Sequence, residues 1–192
     1  MAAATVIAAL VSLGTATPSS ATPLLTNGGF ETGDLTGWSF SGGIAPFVTS
    51  GPFHGIGGPQ SGTYWAALGN VGCCGTLSQS VSVITTPGQT LRLSYWLAGD
   101  GSASYFDAFW NTSQIAGSVE TDYGSGGDYT HFEFSLIATG SDTLTFNERD
   151  DLAYLGLDNV QLSVPEPGTL GLLGTALIGF LGVARRKRKS AA

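Results

Sequence analysis

Aromatic and polar side chains of the kind that bind sugars are spread along the middle of the sequence. A sugar ring offers apolar C–H faces and hydroxyl edges, so its site combines an aromatic surface with a few polar groups. Trp96 is the best candidate, because in the alternating stretch 91–97 it shares a face with Arg92 and Ser94. The remaining aromatic candidates are Trp65, Tyr105, Trp110 and Tyr154, and the remaining polar candidates are Asp107, Asn111 and Glu133.

These residues also have structural uses. Aromatic side chains in a β-protein mostly pack in the core, and we expect Trp38 to do so. Arg92 either contacts a ligand or forms an ion pair with Asp107 or Glu133. Both uses stay open at the level of the sequence.

Residues arranged for catalysis are scarce, and we expect no enzyme activity. His54 and His131 lie far apart, and no G-x-S-x-G motif is present. Paired carboxylates for glycoside hydrolysis remain an alternative, because their separation in space is not visible in a sequence. Asp150 and Asp151 are expected in a solvated loop.

Two neighbouring cysteines, Cys73 and Cys74, lie in a glycine-rich stretch. Adjacent sulfurs cannot join distant strands, so they are either two thiols at a loop tip or a local disulfide. Without a second cysteine pair or a nearby histidine, they do not predict a metal site.

The supporting elements are predicted to be β-strands. Short alternating runs separated by Gly, Pro, Asn or Asp fill residues 22–164, and no segment of helical period appears. Leu91, Leu93 and Tyr95 should face the core, whereas Glu133 and Ser135 should face outward. The spacing predicts an antiparallel sandwich or barrel. Strands are expected at 24–27, 36–41, 44–49, 63–69, 76–84, 89–98, 103–110, 114–119, 130–139, 142–149 and 153–163.

Charge narrows the range of partners. The formal net charge of the chain is −7, but residues 22–164 hold thirteen Asp or Glu against Arg92 and Arg149, a net charge of −11. Such an acidic body excludes nucleic acid as a partner. It is compatible with neutral sugars and with divalent cations.

Both ends of the chain are predicted to be targeting segments. Residues 1–21 are apolar and end in a small-residue cleavage site, which predicts a secretory signal peptide although the usual basic start is missing.

The uncharged stretch 168–184 is about 25 Å long as a helix, at the short end of what spans a bilayer. It predicts a transmembrane helix, and the resemblance described in the next paragraph implies that the membrane is the inner one. The basic cluster Arg185, Arg186, Lys187, Arg188 and Lys189 would hold its end in the cytoplasm.

Residues 165–192, together with Val164, resemble a known sorting signal. Val164, Pro165, Glu166 and Pro167 precede the apolar stretch and the basic cluster, and this order resembles the PEP-CTERM signal of exosortase substrates. The resemblance implies export, removal of the tail by an exosortase, and delivery to the cell surface or extracellular matrix. An ordinary single-pass anchor is the alternative.

The body between the two ends resembles galactose-binding-type jelly rolls of the carbohydrate-binding modules. Residues 27–38 (NGGFETGDLTGW) and 156–162 (GLDNVQL) match their opening and closing strands. The resemblance implies an all-β, antiparallel jelly-roll β-sandwich over 22–164. It also implies one structural Ca²⁺, with Glu31 and Asp158 at the two motif positions that hold it.

The resulting functional prediction is non-catalytic binding of extracellular polysaccharide. The alternatives are a structural or adhesive surface protein without a small ligand and, less favoured, a polysaccharide hydrolase.

Overall fold

The computed structural model describes residues 23–72, 75–81 and 85–165. The predicted signal peptide, the two cysteines, the predicted membrane helix and the basic cluster lie outside these residues. Over the described ranges, no helix is long and apolar enough to cross a membrane.

Within the described ranges, eleven strands form two antiparallel sheets, as predicted. The strands are β1 (Ser39–Ser41), β2 (Phe47–Thr49), β3 (Trp65–Leu68), β4 (Gly75–Ser80), β5 (Thr90–Ala98), β6 (Ser104–Trp110), β7 (Ser113–Gln114), β8 (Glu120–Thr121), β9 (Thr130–Ile137), β10 (Thr143–Asp150) and β11 (Leu155–Ser163). One sheet has the order β1-β4-β10-β6-β7, with β8 also paired to β6, and the other has the order β2-β3-β11-β5-β9. Most neighbours are distant in sequence, which fits a jelly roll.

The core lies between the two sheets. Leu91, Leu93 and Tyr95 of β5 are fully buried, and Tyr95 contacts Phe146 of the opposite sheet with ring centroids 5.3 Å apart. Glu133 and Ser135 of β9 face outward. Alternation along a strand sends successive side chains to opposite faces, so the predicted core and solvent faces of β5 and β9 are confirmed.

Two predicted strands differ from the structure. Residues 24–27 do not form a strand, because Asn27 (φ 52°) and Phe30 (φ 57°) turn the chain across β11. Gly28 lies against that strand so closely that a Cβ at this position would be 1.9 Å from the Val160 carbonyl oxygen. The predicted strand 114–119 is replaced by the short strands β7 and β8, which a turn at Gly117 (φ 84°) separates.

Trp38 is buried in the core, as predicted, and stacks on Phe30 with ring centroids 5.8 Å apart. The prediction for Asp150 is wrong. It is the last residue of β10 and is fully buried, because it continues the inward phase of Leu144, Phe146 and Glu148. Asp151 is half-buried and pairs with Arg149.

Candidate functional site

The outer surface of the six-stranded sheet carries Tyr105, Asp107 and Phe109. We call it the Tyr105 face. Phe106, Ala108 and Trp110 of the same strand pack in the core, so the alternate residues of β6 point away from it. Tyr105 and Phe109 are half-buried, which leaves part of each aromatic ring accessible.

Asp107 organises the polar groups of the Tyr105 face. Its Oδ2 accepts hydrogen bonds from the Tyr105 hydroxyl at 2.7 Å and from the Gln114 Nε2 at 2.6 Å. The carboxylate is almost completely buried, and its Oδ1 has no hydrogen-bond partner within the described part of the chain. Two charge-assisted bonds to one oxygen fix the orientation of a phenol and an amide that both reach the surface.

Rows of small polar side chains extend the Tyr105 face across the sheet. One row runs through Ser41, Thr76 and Asn147 to Asp107, and the next runs through Ser39, Ser78 and Thr145 to Phe109. The result is a surface of hydroxyl and amide groups beside two aromatic rings. At one end Arg149 lies opposite Tyr105 in the register and donates from Nε to Asp151 Oδ2 at 2.9 Å.

The outer surface of the five-stranded sheet carries Arg92, Ser94, Trp96, His131 and Glu133. We call it the Trp96 face. Arg92 donates to the Glu133 carboxylate at 2.5 Å, and the two side chains are 57% and 42% exposed. This confirms the predicted ion pair with Glu133, whereas Asp107 lies on the other sheet. Half-buried Trp96 lies over His131, with ring centroids 4.7 Å apart and planes 32° apart.

The predicted ligand-binding residues therefore do not form one site. Arg92 and Trp96 lie on one face, and Tyr105 lies on the opposite one. Trp65 and Trp110 offer no ring face to a ligand, because both are buried and their indole N–H groups donate to the carbonyl oxygens of Gly51 and Ile137.

Two further candidates have structural partners. Asn111 donates to Asp142 at 2.9 Å and accepts from the Thr143 backbone N–H at 2.8 Å. Tyr154 belongs to an aromatic cluster with Phe47, Phe53 and His54.

Sequence reasoning missed four side chains that complete the two faces: Phe109, Gln114, His131 and Asn147. Residues 105, 107 and 109 occupy alternate positions of one strand, so the sequence already indicates that Phe109 lies on the same face as Tyr105 and Asp107. The other three are brought in by strand pairing, which no local pattern in the sequence reveals.

The two acids predicted to hold calcium bind one loop. Glu31 accepts hydrogen bonds from the backbone N–H groups of Thr63 and Tyr64, at 2.9 and 3.1 Å to Oε1. Asp158, beside a bulge in β11, accepts from those of Gln60 and Ser61 at 2.9 and 3.2 Å. Both acids thus accept hydrogen bonds from backbone N–H groups of the loop 60–64.

The surroundings of Asp158 still favour a cation. The side chain is fully buried, and burial, with a smaller contribution from the nearby Glu31 carboxylate, raises the pKa of its carboxyl to about 6 against the lowering effect of backbone hydrogen bonds. Neither acid has a salt-bridge partner among the described residues. No group of three or more His, Cys, Asp or Glu side chains suited to a metal occurs in those residues, so other oxygens would have to complete the shell.

Comparisons with known proteins agree with the two resemblances. The PEP-CTERM protein-sorting motif matches residues 163–189. TmCBM61, solved with β-1,4-galactotriose, is 22% identical, with 74% of this chain and 99% of that chain covered and a TM-score of 0.57. The CBM22-1 xylan-binding domain of Paenibacillus barcinonensis Xyn10C is 17% identical, with 79% and 99% covered and a TM-score of 0.59.

A cyclase also has a similar fold. A cyclase from Fischerella sp. TAU is 18% identical, with 78% of this chain and 98% of that chain covered and a TM-score of 0.58. No curated protein matches the chain. Identities this low establish the fold alone.

The motif at 163–189 implies an exported protein that is held in the membrane before an exosortase processes it. The chain therefore carries a PEP-CTERM sorting motif behind a β-sandwich whose structural neighbours include carbohydrate-binding modules.

Proposed function

We propose that this protein, after exosortase processing, binds neutral polysaccharide of the cell surface or extracellular matrix without catalysis. The Tyr105 face is the primary binding surface. The observation that supports this most directly is the Tyr105–Asp107–Gln114 network beside Phe109 on a sheet face that packs against no core. Aromatic rings contact the C–H faces of a sugar, and the fixed phenol and amide bond its hydroxyl edges.

Tyr105 and Asp107 have separate roles in this proposal. Tyr105 contacts the sugar, whereas Asp107 is a positioning residue because it is too deeply buried to contact a ligand. Tyr105→Phe keeps the ring but removes the hydroxyl, and Tyr105→Ala removes both. We expect affinity to fall in that order, by several-fold and then by at least tenfold.

Glycan-array binding followed by affinity electrophoresis tests the proposal. Phe40→Ala is the matched control. Phe40 is an exposed aromatic residue on the edge strand β1, and it alternates with Ser39 and Ser41, so it does not lie on the Tyr105 face. Binding that survives Tyr105→Ala unchanged would remove this face from consideration. An empty array would favour a structural or adhesive protein, and product formation from a bound polysaccharide would favour the hydrolase.

We also propose that one Ca²⁺ joins Glu31 and Asp158. Two carboxylates that lack a cationic partner in the described structure supply the charge, and the hard oxygen donors suit calcium. Glu31 precedes β1, Asp158 lies in β11, and both side chains bind the loop 60–64. The ion would therefore stabilise the contact between the first and last segments of the domain. Thermal melts with added Ca²⁺ and with EDTA test this, and an identical midpoint without bound calcium in elemental analysis contradicts it.

A further inference from the structure

The Trp96 face has the composition of a second saccharide surface. On its aromatic side, Trp96 lies over His131, with the two ring planes tilted by 32°. On its polar side, the register places Gln161 beside Ser94 and Ser94 beside Glu133. In the next row Arg92 lies between Ser163 and Ser135. From these contacts we infer that the Trp96 face binds a second, neutral saccharide chain, so that one domain bridges two glycans. The inference rests on the proposed function of the Tyr105 face.

A protein partner fits this surface poorly. Stable protein interfaces bury about 800 Å² per partner and need an apolar centre. Ile137, which is 55% exposed, is the one large exposed hydrophobic side chain that the described strands place on this face. A second copy of the chain is disfavoured further, because the sandwich has a net charge of −11 and identical acidic bodies repel each other.

The charge of the Trp96 face favours a neutral saccharide over an acidic one. Arg92 is its only cation among the described residues, and Glu133 already neutralises it. The pair still has unused hydrogen-bonding capacity, since a guanidinium has five N–H donors and a carboxylate accepts several bonds. Both side chains are largely exposed, so sugar hydroxyls can reach them without breaking the pair.

The geometry of the sandwich makes the second surface independent of the first. The Tyr105 face and the Trp96 face are the outer surfaces of two sheets that pack about 10 Å apart through one core. They point in opposite directions, and a single extended chain cannot lie on both. Occupation of both faces therefore joins two separate chains, which would cross-link a polysaccharide matrix.

Calorimetric titration of the purified protein with β-1,4-galactotriose and with xylohexaose tests the inference. We expect about two molecules of a binding oligosaccharide per protein chain. Trp96→Ala should reduce this to one and should abolish the precipitation of the matching long polysaccharide. Tyr105→Ala should also leave one site, and the double variant should leave none.

Two additional variants protect the test against misfolding. His131→Ala removes the ring that contacts Trp96 and should weaken the second site, whereas Trp96→Phe should retain it in part. One site in the parent protein that only Tyr105→Ala removes would overturn the bridge and leave the proposed function intact. One site that only Trp96→Ala removes would overturn the bridge and the assignment of the Tyr105 face. Binding of neither oligosaccharide would overturn the inference as well.

Discussion

Glu148 makes the stability of the domain depend on pH in a definite direction. The side chain is fully buried on the inner face of β10, and its Oε2 accepts a hydrogen bond from the Asn70 backbone N–H at 3.0 Å. Its Oε1 has no hydrogen-bond partner in the ranges that the structure describes. Burial raises the pKa of the Glu148 carboxyl from 4.5 to about 7, against the lowering effect of the Asn70 bond and with a smaller contribution from the Asp150 carboxylate.

The sign of the effect follows from proton binding. The pKa is higher in the folded state than in the unfolded state, so between these two values the folded state binds more protons. The free energy of unfolding therefore falls as the pH rises from about 4.5 to about 7. At about 1.4 kcal/mol for each unit of pKa, the loss is about 3 kcal/mol.

The variant Glu148→Gln removes this dependence while it keeps the size of the side chain. Its amide oxygen can still accept from the Asn70 N–H. We expect the variant to exceed the parent protein in the free energy of unfolding by up to about 3 kcal/mol at pH 8, with little difference at pH 4.5. Urea denaturation at several pH values measures both quantities.

Asp128→Asn is the control for this experiment, because it removes one carboxylate from an exposed position and leaves Glu148 in place. A Glu148→Gln variant that is less stable than the parent at pH 8 would refute the reasoning. A stability difference that stays constant from pH 4.5 to pH 8 would refute it too. In both cases the buried carboxyl would not be the source of the pH dependence.

Three further predictions concern the loop 60–64, Asp142 and Arg92. Gly62 has φ 69°, and a Cβ there would be 2.3 Å from Glu31 Oε1, so Gly62→Ala should lower the melting temperature more than Gly72→Ala, where φ is 85° and no atom lies within 4 Å. Equal losses would show that the acid–loop contact contributes nothing. Despite the opposing effect of burial, hydrogen bonds led by that from Asn111 lower the pKa of the Asp142 carboxyl from 3.8 to about 2. The stability that Asp142 contributes is therefore present above pH 4 and is lost as the pH falls toward 2, so Asp142→Asn should cost about 2 kcal/mol at pH 7 and far less at pH 2 in denaturation experiments. Arg92→Ala should change the free energy of unfolding by less than about 1 kcal/mol, because the pair with Glu133 is exposed, and a larger loss in urea denaturation would contradict this.

The sequence predicted best where one face of a strand is apolar and the other is polar. In β5 the two faces differ clearly, so Leu93 and Tyr95 could be placed in the core and Trp96 outside it. In β3 both faces are apolar, and alternation carries no information there. The loop around Ile56 covers the outer side of β3, which is why Trp65 is buried and cannot serve as a surface platform.

A charged residue in an inward phase was one source of error. Asp150 follows Leu144, Phe146 and Glu148 at intervals of two, so its phase predicted burial, whereas its charge favoured solvent. The phase was the correct guide. Local patterns also could not show that Trp96 and Tyr105 lie on different sheets, because β5 pairs with β11 and β6 pairs with β10 across long stretches of chain.

The end of the domain is built so that loss of the tail need not disturb it. β11 pairs with β5 from Gly156 to Ser163, with a bulge between Asp158 and Gln161, and the last pair joins Ser163 to Arg92. Val164 still packs against the core, whereas Pro165 is exposed. Because the sheets and the core end before the Pro-Glu-Pro sequence, cleavage beyond Pro165 removes no strand residue and no core residue of the described structure. The sorting motif, whose match begins at residue 163, therefore leaves the sandwich at Pro165, and the two glycan surfaces proposed above can persist after processing.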